Sequence, residues 1–435
     1  MNISRRRILQ TAAPMMIPSA ALAAVQDALR GRPGAAGLGP TSFVVGAYAQ
    51  DPGSMAAWAA RGVNTMVSPS DDFAGGNGPL WRQTCHRLGL KMIVGGRHRS
   101  DGGLTYAAGA SNAFAANQDD PLVIANLLYD EPDILGPPLA AHDAEVAFAQ
   151  SAGNTKPFFV NYTNNVTGRA YKSLRPATFV NWPSAHWVSS DNYAYQTGDV
   201  YAFGDIYGED GFTGPFSTMS GHAARVLYAG PLHGAPIAHP GRPTFQFLST
   251  SRINNGAPAG QPWRRMTARQ YGIQAWSCII NGVSGLLHFS HYMAGSPSQI
   301  SDDTSAELTS AIAAMVAKVA ILQRQPGGNV LMDAVGGGRR SYVLRQGAWS
   351  AGGTAGNPIW PDKQPSFAAP VGDQMQAWFE GAEVAVGSET YRLVLNLHDS
   401  LPKILDDRRW GLAKVSFAPG QVKCFKASAP TVNIF

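Results

Sequence analysis

Eight short apolar or β-branched runs fall between residues 43 and 291, and they narrow sharply what this 435-residue chain can fold into. They are Phe43–Tyr48, Asn64–Ser68, Lys91–Gly96, Val123–Tyr129, Pro157–Tyr162, Trp187–Asp191, Thr244–Leu248 and Gly285–His291. Amphipathic stretches lie between and after them, the clearest being 54–61, 79–88, 139–152, 222–228, 267–280 and 305–322. Strands alternating with helices predict an α/β fold with a parallel sheet, and eight of them predict a closed (β/α)8 TIM barrel. The predicted barrel spans residues 40–324. An open doubly wound sheet usually carries a Gly-rich phosphate turn after its first strand. Here that strand runs into Tyr48-Ala49-Gln50-Asp51-Pro52, which is no such turn.

Past Leu322 the texture changes. Gln325-Pro326-Gly327-Gly328 breaks the last helix. Short strand-like runs follow at 341–344, 375–379, 383–386, 391–397, 414–417 and 421–426, separated by Gly, Pro and Asp turns. They predict a small all-β sandwich domain over residues 325–435.

The first residues read as an address. Ser4-Arg5-Arg6-Arg7-Ile8-Leu9 precedes an apolar run from Thr11 to Ala24 that holds no charged side chain and contains Ala21-Leu22-Ala23. A basic start, a short apolar stretch and small residues at its end describe a signal peptide, placed at residues 1–23. The run is too short to span a bilayer, and no other stretch is apolar over the ~20 residues a span needs. The Ser-Arg-Arg-x-Ile-Leu start resembles the bacterial twin-arginine export signal, with Ile8 where Phe is usual and Gln10 where Lys is usual. That resemblance implies the twin-arginine machinery as a partner and a periplasmic or secreted destination.

Without residues 1–23 the formal charge falls from +5 to +2, because three arginines leave with them. No other Lys/Arg block exists, so the sequence pI of 9.1 does not indicate nucleic acid. Cys85, Cys278 and Cys424 form no CxxC pattern and no zinc-like spacing, and read as three small buried hydrophobes. No cofactor motif and no metal site is expected.

Barrel active sites gather at the C-terminal strand ends. Those ends carry Tyr48; Ser68 with Asp71 and Asp72; Arg97 and His98; Asp130, Glu131 and Asp133; Asn161, Tyr162 and Asn164; Asp191 with Tyr193 and Tyr195; Gln246, Ser249 and Arg252; and His288, His291 and Tyr292. Carboxylates, amides and aromatics together suit sugars, whose hydroxyls need hydrogen bonds and whose ring faces stack on aromatic rings. The substrate-binding set read from this list is Asp130, Tyr48, His98, Asn161, Tyr162, Tyr193, Gln246, Arg252, His291 and Tyr292. His98, His288 and His291 lack HxH or HExxH spacing, so each reads more readily as hydrogen-bonded structure than as a ligand. No GxSxG elbow surrounds Ser249 or Ser251.

The sharpest element is Leu127-Leu128-Tyr129-Asp130-Glu131-Pro132-Asp133, an apolar strand running straight into paired carboxylates. It resembles the Asn-Glu-Pro or Asp-Glu-Pro corner after strand four of barrel glycoside hydrolases. The segments 264–276 and 281–290 resemble the seventh helix and eighth strand of those enzymes, and 391–397 and 417–422 resemble their appended β-domain. The resemblance implies a glycosidase with Glu131 as general acid/base, its carboxyl raised by neighbouring Asp130. It also implies a nucleophilic Glu at the end of strand seven. This chain has none there, and Gln246 stands where one would be sought. Asp191 is the first choice for the second carboxylate, then Glu209 or Asp210, then Asp205. The expected function is an exported glycoside hydrolase on a poly- or oligosaccharide. The alternatives are a non-catalytic glycan-binding or scaffold protein on a degenerate barrel and, in third place, a metal-dependent hydrolase.

Overall fold

Parallel pairing joins eight strands into a closed ring in the order β1-β10-β9-β8-β7-β6-β3-β2. These are β1 (Val44–Tyr48), β2 (Thr65–Ser68), β3 (Lys91–Gly95), β6 (Val123–Asp130), β7 (Phe158–Tyr162), β8 (Trp187–Asp191), β9 (Thr244–Ser249) and β10 (Gly285–Phe289). The computed structural model describes residues 40–69, 78–95, 97–100, 103–106, 114, 117–132, 139–151, 153–162, 184–191, 243–250, 267–280, 283–289, 306–326, 328–331, 340–345, 348–351, 379–396, 401–407 and 410–435. All eight runs expected from the sequence are barrel strands. The signal segment 1–23, the expected helix at 222–228 and residues 375–378 lie outside the described residues. One element was not expected: the antiparallel pair β4 (Arg97–Ser100) and β5 (Gly103–Tyr106), which follows the third barrel strand.

Alternation along each strand separates two apolar layers. Val44, Tyr48, Val67, Ile93, Leu127, Phe159, Trp187, Phe245, Phe247 and Leu287 fill the barrel interior. Two glycines admit close neighbours in this layer. A Cβ on Gly46 would lie 2.5 Å from Leu287, and one on Gly95 would lie 2.2 Å from the Pro69 carbonyl oxygen. Residues of the opposite parity, such as Val45, Met66, Met92, Leu248 and Leu286, face the helices.

The described helices are α1 (Pro52–Ala60), α2 (Gly78–Leu88), α3 (Leu139–Ser151), α4 (Ala268–Ile280) and α5 (Ala306–Gln323). Asp51 caps α1 by accepting from the Gly53 and Ser54 amides. By length and composition α5 is apolar enough to cross a membrane. Leu308, Ile312, Met315, Val319 and Leu322 recur at helical spacing along it, and all five are buried in the layer outside the barrel.

The C-terminal region is all β. A six-stranded antiparallel sheet runs in the order β12-β11-β13-β14-β17-β18. Its strands are β11 (Arg340–Arg345), β12 (Ala348–Ala351), β13 (Phe379–Val386), β14 (Glu389–Asn396), β17 (Val422–Lys426) and β18 (Ala429–Asn433). One face of this sheet gives Phe379, Val394 and Phe425 to a cluster with Leu405, Trp410, Leu412 and Phe417 of the β15 (Lys403–Asp407) and β16 (Leu412–Phe417) region. The other face gives Ala382, Val384, Tyr391, Leu393, Leu395 and Cys424 to the layer that also holds Ile273, Trp276 and Ile280 of α4. The barrel's outer core and the β-domain are therefore one continuous apolar layer. The C-terminal Phe435 ring meets Trp276 at 5.4 Å, with the Lys318 ammonium 4.9 Å from its centroid. All three cysteines are buried outside any disulfide, and burial pushes the Cys85 and Cys424 thiols up to about 12.

Candidate functional site

The strand end that carries the paired carboxylates is β6, and a bulge aims it. Leu127 pairs with Phe159 and Tyr129 with Val160, so one extra residue enters β6 between them. Leu127 faces the interior, whereas Leu128 joins the apolar cluster behind the sheet and Tyr129 packs edge-on, 4.5 Å from the His142 ring of α3. Two successive residues thus face the helices, and Asp130 resumes the interior side. Unbroken alternation would have sent Tyr129 inward and Asp130 out. A bulge that re-aims a side chain beside a working site is a recurrent device.

Asp130 is half-buried and accepts at both oxygens. The Tyr48 hydroxyl of β1 donates to Oδ2 at 2.6 Å, and the Asn161 amide of β7 donates to Oδ1 at 2.9 Å. Asn161 Oδ1 in turn accepts from the Ser189 hydroxyl of β8 at 2.7 Å. Four strands are tied through one polar chain, Tyr48–Asp130–Asn161–Ser189, and every donor in it points toward Asp130. The chain sits at the C-terminal strand ends, the face on which barrels do their chemistry.

Glu131 follows at once, half-buried, with φ +57° and its amide donating to the Asn161 carbonyl at 2.8 Å. A left-handed backbone is uncommon for glutamate and costs of order 1–2 kcal/mol, so the surrounding structure must impose it. Ala49, directly after Tyr48, is also left-handed at φ +51°. Gln50 secures that corner. Its Oε1 accepts from Trp58 Nε1 at 2.8 Å and from Ser54 at 3.1 Å, its Nε2 donates to the Tyr48 carbonyl at 2.8 Å, and its own carbonyl accepts from Trp81 Nε1 at 3.1 Å. The Tyr48 ring is further held by Phe247 at 5.5 Å and Phe289 at 6.1 Å.

The structure brings together Tyr48, Asp130 and Asn161 from the expected set, with Glu131 beside them. Two expected residues are elsewhere. Tyr162 is buried behind the sheet with Phe114, Leu128 and Val160, because β7 turns Phe159 and Asn161 inward and its other residues out. Gln246 is fully buried and lies between the inward residues Phe245 and Phe247, so it falls on the helix side and donates to the Phe247 carbonyl at 3.2 Å. A carboxylate at that position would not have faced the barrel interior either. Asp191 ends β8, two residues beyond Ser189 and opposite Phe247, and its side chain lies outside the described residues, as does that of His98. Tyr193, Arg252, His291, Tyr292, Asp205, Glu209 and Asp210 also lie outside them. Ser189 was not singled out from the sequence. The signal for it was there, since it shares parity with inward-facing Trp187.

His288 is structural. Its Nδ1 donates to the Gly46 carbonyl at 2.8 Å, so its Nε2 must accept from the Tyr271 hydroxyl at 2.8 Å. Burial pushes its pKa down to about 4, against an opposing pull from the Gly46 carbonyl. It therefore stays neutral between β1 and α4. At the opposite end of the barrel, before β6, Asp120 meets His86 at 3.1 Å and Arg82 at 3.4 Å. Burial raises the Asp120 carboxyl, but the Leu122 amide, His86 and Arg82 outweigh it and hold the carboxyl below its ordinary value. Among the described residues no group of three His, Cys, Asp or Glu is placed to hold a metal ion.

No protein-family model matches the chain, and no curated protein matches it. Among solved structures it is similar to a glycoside hydrolase at 11% identity, covering 88% of each chain with a TM-score of 0.48. It is similar to the α-amylase of Geobacillus thermoleovorans, solved with acarbose, at 7% identity, covering 89% of this chain and 99% of that one with a TM-score of 0.47. It is also similar to a family 5 glycoside hydrolase of Bacteroides vulgatus at 10% identity, covering 84% and 78% with a TM-score of 0.48. At these values the likeness carries no conclusion about activity. The barrel stands on the strand pairing of this chain itself.

Proposed function

We propose that this protein is an exported glycoside hydrolase, with Glu131 as general acid/base at the mouth of the barrel. One observation carries the proposal. A bulged strand delivers two adjacent carboxyl groups to the C-terminal rim, one locked by donors from two other strands and the other held in a strained backbone. The locked group, Asp130, is the fixed anion. Its neighbour is the group whose protonation its field favours, and a protonated carboxyl is what cleavage of a glycosidic bond requires. The second catalytic carboxylate is assigned to Asp191, at the end of β8. A separation of ~5–5.5 Å between the two would give retention of configuration, and ~6.5–9.5 Å inversion. The signal at residues 1–23, and with it a periplasmic or secreted location, is part of this proposal.

The non-catalytic glycan-binding reading draws support from β9, whose interior residues Phe245 and Phe247 offer no carboxylate. A polysaccharide panel separates the two. The full chain hydrolyses at least one glycan and Glu131→Gln does not, whereas a binding protein shows no turnover to lose. Hydrolysis that survives Glu131→Gln but vanishes with a chelator would reject both readings in favour of metal chemistry.

A further inference from the structure

Asp130 offers a charge that nothing described neutralises. Both of its partners, Tyr48 and Asn161, are neutral donors, and among the described residues no Lys, Arg or His forms an ion pair with it. Accepting at both oxygens is the pattern of the ionised carboxylate, and each oxygen keeps a second acceptor direction. The group is half-buried, so part of the residue stays accessible to solvent. The Phe289 ring, partly buried at the end of β10, packs on Tyr48, whose hydroxyl donates to Asp130. A carboxylate held by neutral donors alone favours a cation over a neutral group by charge-assisted hydrogen bonding. It opposes an anion by direct repulsion.

We infer that Asp130 is a specificity residue that selects a sugar bearing a protonated amine, a hexosamine, at the barrel mouth and excludes uronic acids there. Tyr48 and Asn161 are its positioning residues. The inference rests on the sugar-binding part of the proposed function and names the substrate class of that same site.

The test uses six monosaccharides near pH 6: glucosamine, glucose and glucuronate, and galactosamine, galactose and galacturonate. Binding to the full chain is read by calorimetry or ligand-observed NMR. In at least one of the two series the amine binds about tenfold more tightly than the neutral sugar, and the uronate binds most weakly. The preference weakens as salt is raised, vanishes in Asp130→Asn, which keeps the side-chain shape, and persists in Glu131→Gln. Equal binding of amine and neutral sugar in both series overturns the inference. So does a preference that Glu131→Gln removes and Asp130→Asn keeps. Should Asp130→Asn fail to fold, the charge series on the native chain and on Glu131→Gln still decides. Failure here is separable from failure of the glycosidase proposal. Hydrolysis of a neutral glycoside that depends on Glu131, without an amine preference, removes only this inference. An amine preference without any hydrolysis keeps the carboxylate site and removes the enzyme.

Discussion

Tyr48→Phe deletes one hydroxyl, and with it the bond that crosses the barrel interior to Asp130 at 2.6 Å. The ring keeps its contacts with Phe247 and Phe289, and the double variant separates the Asp130 bond from whatever else the hydroxyl does. A hydrogen bond to a charged acceptor contributes about 1.5–3 kcal/mol net. Asp130 is half-buried, so water partly replaces the lost donor and the expected cost falls to about 1 kcal/mol. Urea unfolding of the native chain, Tyr48→Phe, Asp130→Ala and the double variant forms a cycle that isolates the pairwise coupling. The expected coupling is about 1 kcal/mol, with a Tm lowered by ~1–3 °C in the single Tyr48→Phe variant. A coupling under about 0.3 kcal/mol would mean that the two groups act independently, and the locked carboxylate at the centre of this site would be refuted.

Four further outcomes are expected. Glu131→Gly abolishes turnover yet is more stable than Glu131→Ala by about 1 kcal/mol, because glycine adopts φ +57° without strain; an alanine variant at least as stable as the glycine one would show that the backbone there is unstrained. Gly95→Ala costs about 1–3 kcal/mol, since its Cβ would meet the Pro69 and Leu127 carbonyl oxygens at 2.2 and 2.8 Å, and a soluble variant of native midpoint contradicts the packing. Asp120 is depressed in the folded state, so its stabilisation is complete above the unfolded value near ~3.9 and is lost as pH falls through the lower folded value; Asp120→Asn flattens the acid limb of a urea series run from pH 6 to 3. His288 is held down to about 4, so the unfolded chain binds the extra proton and stability declines from ~pH 6.5 toward 4; its ring nitrogens, followed by NMR, stay in the neutral state down to about pH 4.

Periodicity carried the fold. Each of the eight expected runs became a barrel strand, because a strand buried on both faces reads as an apolar run whatever its neighbours are. Strand parity carried part of the site, and it failed where the residue count was interrupted. The bulge at Leu127–Tyr129 leaves no mark in Leu-Leu-Tyr-Asp, and only tertiary pairing shows that Asp130 and not Tyr129 turns inward. Tyr162 and Gln246 lie near strand ends, but their parity with Val160 and Leu248 puts them on the helix side. Ser189 is the converse case: a serine two residues after inward-facing Trp187 is unremarkable until Asn161 is found beside it. His288 reads as hydrogen-bonded structure from its lack of ligand spacing, as found, but its partners Gly46 and Tyr271 show only in the fold.

The role given to Glu131 is tested most directly by the leaving group. A general acid matters most when the departing oxygen is a poor leaving group, and little when it is already a good one. On a substrate found by the glycan panel, Glu131→Gln is compared with the native chain on the natural glycoside and on the matching dinitrophenyl glycoside. A loss of about 10²–10⁴-fold on the former with at most about tenfold on the latter is the predicted pattern. Equal losses on both, or none on either, would contradict a general acid at this corner of the barrel.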